Sequence, residues 1–257
     1  SLGESGVEMA TLGDLVGGIR VEDRRDLEPV SRLKGDLRMV NFIARAVRTR
    51  QRPIRKDLRV GYGLKWLTIT TDETRRIVAE ARRRFRTHNA ARKFVENEFF
   101  SVLAKSVTEH LDVTTVRDRL RGQLAIREAL EWMWPVLTPS QLLNDLYGFH
   151  TLIRAADPDL TDEEVESLHR PKSVEVGNIS WLASDAPLLD EAKSLLGPRP
   201  LHEEEDTVRT FGHIVVDEIQ DLSPMELRML KRRSLNGSMT VVGDIAQATG
   251  AWSHKNW

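Results

Sequence analysis

Residues Gly212 to Pro224 read GHIVVDEIQDLSP. The run Ile214-Val215-Val216 is apolar and β-branched, the pattern of a strand covered on both faces. It stops at Asp217 and Glu218, and Asp221 follows closely. Ser223-Pro224-Met225-Glu226 reads as a serine N-cap, proline at the first helical position and a glutamate completing a capping box. The helix it opens is expected to run to Arg233, with Leu227 and Leu230 on one side. Lys231, Arg232 and Arg233 suit its negative C-terminal end. Asn236-Gly237 ends it, and Ser238–Val242 forms a second apolar strand leading to Gly243-Asp244.

Strand, helix, strand at this length implies two parallel strands joined by a right-handed crossover. Asp217 and Asp244, 27 positions apart, then both lie at strand C-terminal ends. That is the edge of an open α/β sheet where ligands bind. The residue types there suit phosphoryl transfer. A carboxylate can hold the water shell of magnesium, a neighbouring one can accept a proton from attacking water, and a glutamine amide can contact a γ-phosphate. The competing reading is an ordinary strand–helix–strand unit with polar loop acids.

Composition sets the frame. The chain has 257 residues, 40% hydrophobic and 30% charged, enough for one large core or two modest ones. It has no cysteine, which excludes disulfides and thiolate metal sites and fits a reducing cytoplasm. The longest stretch free of Asp, Glu, Lys and Arg is Trp132–Asn144, with two prolines in it. A membrane helix needs about 20 apolar residues, so no membrane partner is expected. Ser1-Leu2-Gly3-Glu4 has neither the basic head nor the apolar core of a secretory leader. Residues 20–93 hold 22 Lys/Arg against 9 Asp/Glu, so the rest of the chain is acidic. A block of this kind can bind nucleic-acid backbone, meet an acidic protein, or stand solvated.

Residues 1–35 show no sustained period beyond a strand near Gly18–Val21. Asp36 is expected to cap a helix reaching about Gln51, with Met39, Ile43, Ala46 and Val47 at three-four spacing. Ile54–Val60 and Leu64–Thr70 flank Gly61-Tyr62-Gly63 as a hairpin, with Leu67 and Ile69 on one face and Leu64, Trp66, Thr68 and Thr70 on the other. Helices are expected over 72–86, 89–111 and 115–134, and from Thr138 with Pro139 at its first position. Thr161 and Glu164 form a capping box, residues 171–183 read as irregular, and Pro187–Leu196 reads as a helix. Leu201–Arg209 is acidic and expected to be mobile.

The run VVDEIQDLSPMELRML…GSMTVVGDIAQATG resembles motifs II and III of superfamily I helicases of the UvrD/Rep type. Motif II is commonly DEAQD and is matched by Asp217-Glu218-Ile219-Gln220-Asp221, with Ile219 the departure. Motif III is matched by Gly243-Asp244-Ile245-Ala246-Gln247. The resemblance implies ATP and Mg²⁺ as cofactors. Asp217 would hold Mg²⁺ through water, Glu218 would be the general base, and Gln247 would contact the γ-phosphate. Gln220, Asp221 and Asp244 would couple nucleotide state to the motor. The stretches LKGDLRMVNFIARAV, RQRPIRKDLRV, WPVLTPSQLLNDL and SDAPLLDEAKSLLG are similar to actinobacterial HelD, a motor acting on RNA polymerase, in which a partly helical insertion interrupts the first RecA-like domain and an acidic loop can enter the polymerase.

The expected fold is therefore helix-rich α/β. A partial RecA-like parallel sheet, the P-loop NTPase fold without its P-loop, accompanies a large helical insertion and a small β-hairpin. The implied divisions are a motor segment over 1–35, an insertion over 36–197, an acidic linker over 198–210 and a motif-bearing segment over 211–257. No G-x-x-x-x-G-K-[ST] phosphate loop occurs; Gly61-Tyr62-Gly63-Leu64-Lys65 is the nearest stretch and lacks its length and hydroxyl. The chain reads as the magnesium and general-base part of a larger cytoplasmic, monomeric motor. RNA polymerase is the implied partner, with nucleic acid as a second through residues 20–93. The alternatives are a repair DNA helicase or translocase and a non-enzymatic protein-binding arm. The seven histidines show no HExxH spacing; His88, His110, His150 and His213 read as packing or surface residues.

Overall fold

The computed structural model describes residues 6–247 and 250–252. In chain order the elements begin with α1 (Leu12–Val16), β1 (Val21–Glu22), α2 (Glu28–Gly35), α3 (Arg38–Arg48), β2 (Leu58–Tyr62) and β3 (Lys65–Ile69). Then follow α4 (Thr71–Arg84), α5 (Arg92–Lys105), α6 (Val113–Leu120), α7 (Leu124–Met133), α8 (Pro139–Tyr147), α9 (His150–Ala156) and α10 (Asp162–Leu168). The last are β4 (Trp181–Leu182), α11 (Ala186–Leu196), α12 (Glu203–Asp206), β5 (Ile214–Val216), α13 (Pro224–Arg233) and β6 (Met239–Val241). The described residues form a helix-rich chain with three two-stranded sheets: β1–β4 parallel, β2–β3 antiparallel and β5–β6 parallel.

The chain divides into two compact units, one of residues 1–46, 139–194 and 204–257, the other of residues 47–138 and 195–203. The second unit is built on the hairpin β2–β3. Its two-residue turn has Gly63 at φ 60°, a conformation a short hairpin connection uses and a side chain resists. Leu67 and Ile69 face inward and are fully buried, while Leu64 and Trp66 on the opposite face are exposed. The inner face joins Val95, Phe99, Phe100 and Leu103 of α5, Val116 and Leu120 of α6, and Ile126, Leu130 and Met133 of α7 in one apolar cluster.

Helix boundaries follow local hydrogen-bond chemistry more closely than apolar spacing. α4 starts a residue early because Thr70 and Glu73 form a capping box. α5 stops at Lys105, short of the expected 111. There the Ser106 hydroxyl donates to the Leu103 carbonyl and accepts from the Thr68 amide of β3. Asp112 then opens α6 by accepting from the Thr115 amide at 2.7 Å. The single helix expected over 115–134 is two, broken at Arg121-Gly122-Gln123. Ile126 rather than Leu124 faces the core, and Leu124 is exposed.

In the first unit α2 was not legible as a helix. It has no side-chain cap and carries Lys34 on its buried side. That ammonium is 2% exposed, and it is held by Asp26 and by Asp185 at 2.8 Å. Trp181 and Leu182, in the segment read as irregular, pair in parallel with Val21 and Glu22. α8, α9 and α10 pack in succession, and α10 and α13 both pack on α2. Gly35 lies close against Ser223 and Trp252; a Cβ there would sit 2.5 Å from the Ser223 Cβ, so only glycine lets α2 approach the start of α13.

Candidate nucleotide-site edge

Ile214, Val215 and Val216 pair in parallel register with Met239, Thr240 and Val241, and α13 is the crossover between the strands. His213 pins the pairing: its ring nitrogens lie 2.7 Å from the Ser238 hydroxyl and 3.1 Å from the Thr240 hydroxyl. The ladder continues past the strands, with the Val242 amide donating to Val216 and the Ile219 amide to Val242. Asp217 and Asp244 therefore leave adjacent strands in the same direction. The expectation of a fully covered strand fails. Val215 is 67% exposed, and Val241 and Val242 are half exposed; among the described residues β5 and β6 form a sheet of two strands.

Asp217 is exposed, and its Oδ1 accepts from the Glu218 amide at 2.9 Å. Glu218 sits in the left-handed region, at φ 52° and ψ 40°, which a non-glycine residue enters at a cost of roughly 1–3 kcal/mol. Its carboxylate is exposed and accepts a hydrogen bond from the Gln220 amide nitrogen. Gln220 is 1% exposed and joins the two strand ends. Its carbonyl oxygen accepts from the Asp244 backbone amide at 3.0 Å. Gly243 permits this, since a Cβ there would lie 2.2 Å from the Gln220 oxygen.

Asp221 Oδ1 accepts from the Gly250 amide at 2.7 Å. Asp244 accepts from the Ala246 amide at 2.8 Å and from the Gln247 side chain at 3.2 Å. The structure thus places Asp217, Glu218, Gln220, Asp221, Asp244 and Gln247 at one edge. It links Glu218, Gln220 and Asp244 in a chain, and Gln247 to Asp244. Ser223 caps α13 as the sequence requires, with Glu226 completing the box and receiving Arg25 at 2.9 Å.

Two features behind this edge were not read from the sequence. Arg232 and Arg233 do more than complement a helix end. Arg233 is fully buried and pairs with the fully buried Asp190 at 2.6 Å; it also donates to the Leu15 carbonyl at 2.7 Å. Arg228 grips Glu191 through two nitrogens, and Arg232 bonds both acids. Burial pulls the Glu191 carboxyl up, but Arg228 and Arg232 outweigh it and hold the group below the usual carboxylate range. This network bolts α11 to α13. The signal available beforehand was the Asp190-Glu191 pair inside an apolar helix.

The second feature is where the basic block goes. Arg25, Lys34 and Arg38 pair with Glu226, Asp185 and Glu164, and Lys65 and Arg92 with Glu109 and Glu131. In the second unit, Arg52 and Arg55 lie over the Trp132 ring at 3.2 and 3.6 Å, Arg59 over Trp66 and Arg119 over Tyr62. Much of the charge separated along the chain is thus neutralised or stacked within each unit. A cleft of about 390 Å³ in the first unit, lined by Arg32, Asp36, Arg38, Glu163, Glu164 and Trp252 among others, includes none of the six edge residues. No known family model matches the chain, and no curated protein matches it significantly. Among the described residues no helix is long and apolar enough to cross a membrane.

Proposed function

We propose that this chain carries the magnesium and general-base half of the ATP site of a superfamily I helicase-like motor, within a RecA-like domain, in a HelD-type protein that remodels RNA polymerase. The observation that carries the reading is the parallel β5–α13–β6 crossover. It delivers Asp217, Glu218 and Asp244 to one edge, with the buried Gln220 amide spanning them. The exposed side chains of Val215, Val241 and Val242 fit a face that another element covers, since parallel sheets are normally covered on both faces.

The donor set fits a magnesium–nucleotide complex. Asp217 offers an exposed carboxylate oxygen to a hydrated hard cation, and Glu218 lies next to it on the same edge. When bound, Mg²⁺ would supply charge neutralisation to the nucleotide's phosphates. Glu218 accepts the proton of the attacking water, and its bond from Gln220 orients the carboxylate for that task. Gln247 is held by Asp244 and reaches a γ-phosphate by turning its amide away from that carboxylate. A shift of Asp244 reaches Glu218 through Gln220, which is a physical route for coupling.

Retention of purified core RNA polymerase on the immobilised chain tests the partner. Binding that weakens with salt is expected, because the candidate contact surfaces are charged. Retention no greater than on an unrelated protein of equal charge would exclude the polymerase assignment and leave the DNA-translocase reading of the same edge.

A further inference from the structure

A second group of ligand-type side chains lies away from the acid edge. α9 and α10 pack against each other, and the Asp157–Thr161 turn between them is short. The start of α9 therefore meets the end of α10. This brings His150, Glu166 and His169 together, with one ligand atom from each within 4.8 Å of the others. His150 Nε2 lies 2.9 Å from Glu166 Oε2, and the two imidazole rings stack with centroids 3.9 Å apart.

The backbone under these side chains is held from both ends. The Arg170 amide donates to the Tyr147 carbonyl at 3.1 Å, so both histidines follow or precede a fixed point by at most three residues. Tyr147 is fully buried, and Arg170 is pinned by Asp185 at 2.8 Å and lies over the Tyr147 ring. Val165 and Leu168 bury the inner side of α10, which leaves Glu166 and His169, three apart, as neighbours on its outer side.

We propose that His150, Glu166 and His169 form a binding site for a divalent transition metal of the zinc class, which clips α9 to α10. Two imidazoles and one carboxylate are a zinc donor set, with a fourth position left to water. Magnesium and calcium prefer oxygen ligands throughout, so the same side chains discriminate against them. Zinc bound at about 2.1 Å from each ligand requires donor atoms roughly 3.4 Å apart, close to the present His150–Glu166 separation. The rings are now nearly parallel, at 21°, so each turns about its last side-chain torsion to aim a lone pair at the ion. That torsion is broad and soft, and His150 is half exposed, which leaves its ring room to turn.

The test is a titration of the chelator-stripped chain with zinc alone, read by calorimetry and by competition with a chromophoric chelator. One equivalent is expected, with a Kd on the order of 1 μM. His150→Ala and His169→Ala each weaken binding tenfold or more, and the double variant loses it. Glu163→Gln, on the same helix, leaves the affinity unchanged, and an equal concentration of magnesium does not compete. His150 is exposed and His169 partly buried, and unchanged circular dichroism of the variants verifies their fold. Equal zinc affinity of the wild-type chain and the double variant would overturn the site, as would the absence of binding below about 100 μM.

Discussion

Glu218 holds a left-handed backbone although glycine would adopt it freely, and two hydrogen bonds keep it there: its own amide on Asp217 and its carboxylate on Gln220. Strain of this kind persists where the surroundings over-determine it, which is common at functional sites. His88 shows the opposite use of a polar side chain. It is 2% exposed, stacks on Trp134, donates from Nε2 to the Pro135 carbonyl at 2.6 Å and faces the Gln51 amide through Nδ1. Burial dominates and pushes its pKa down from 6.5 to about 4. Between these values the unfolded chain binds the extra proton, so stability is full above about pH 6.5 and falls as the pH drops toward 4. The loss amounts to about 3 kcal/mol from this group. Urea unfolding of the wild type and of His88→Gln between pH 7 and 4.5 should show a steeper decline for the wild type; parallel curves would contradict the assignment.

At the scale of elements, the join between α11 and α13 is ionic. Asp190 and Arg233 are both fully buried, and removing one partner strands the other's charge. Asp190→Ala is therefore expected to destabilise the unit by about 3–5 kcal/mol. Glu109→Ala, which breaks the exposed Lys65 pair, should cost under about 1 kcal/mol. Denaturant unfolding of both variants measures the difference, and equal losses would mean that the buried network contributes no more than a surface pair. The elements differ in how legible they were. α13 could be read from Ser223, Pro224 and Glu226 because each signal is local, although its end is set at Ser234 rather than at Asn236-Gly237. α2 could not, because it has no side-chain cap and its buried Lys34 is paired with the distant Asp26 and Asp185. The break between α6 and α7 was missed because Leu120, Leu124 and Leu130 imitate one stripe, while only packing shows that Ile126 is the core residue.

For the whole molecule, the chain divides into two units, and the acid edge belongs to the unit made of three sequence segments. Part of the charge asymmetry along the sequence is offset in space, since Arg25, Lys34, Arg38 and Arg92 of the basic block meet acids that lie after it. The proposed site has its magnesium and base residues but no phosphate loop in the sequence. The chain by itself should therefore turn over no ATP and bind a fluorescent ATP analogue weakly or not at all in the presence of magnesium. Hydrolysis above a Glu218→Gln control would sink the half-site reading.

What the sequence alone determined is local in origin: capping boxes at Thr161 and Ser223, the alternating faces of the hairpin, and two strands ending in acids around a crossover helix. Each rests on residues a few positions apart, where backbone geometry and hydrogen-bond chemistry permit little choice. The fold decided which charges are buried and by what they are held, that Gln220 rather than a carboxylate ties the strand ends, and that His150 meets His169. Those outcomes depend on partners tens to hundreds of residues away, and burial sets their energies, so no spacing rule carries them.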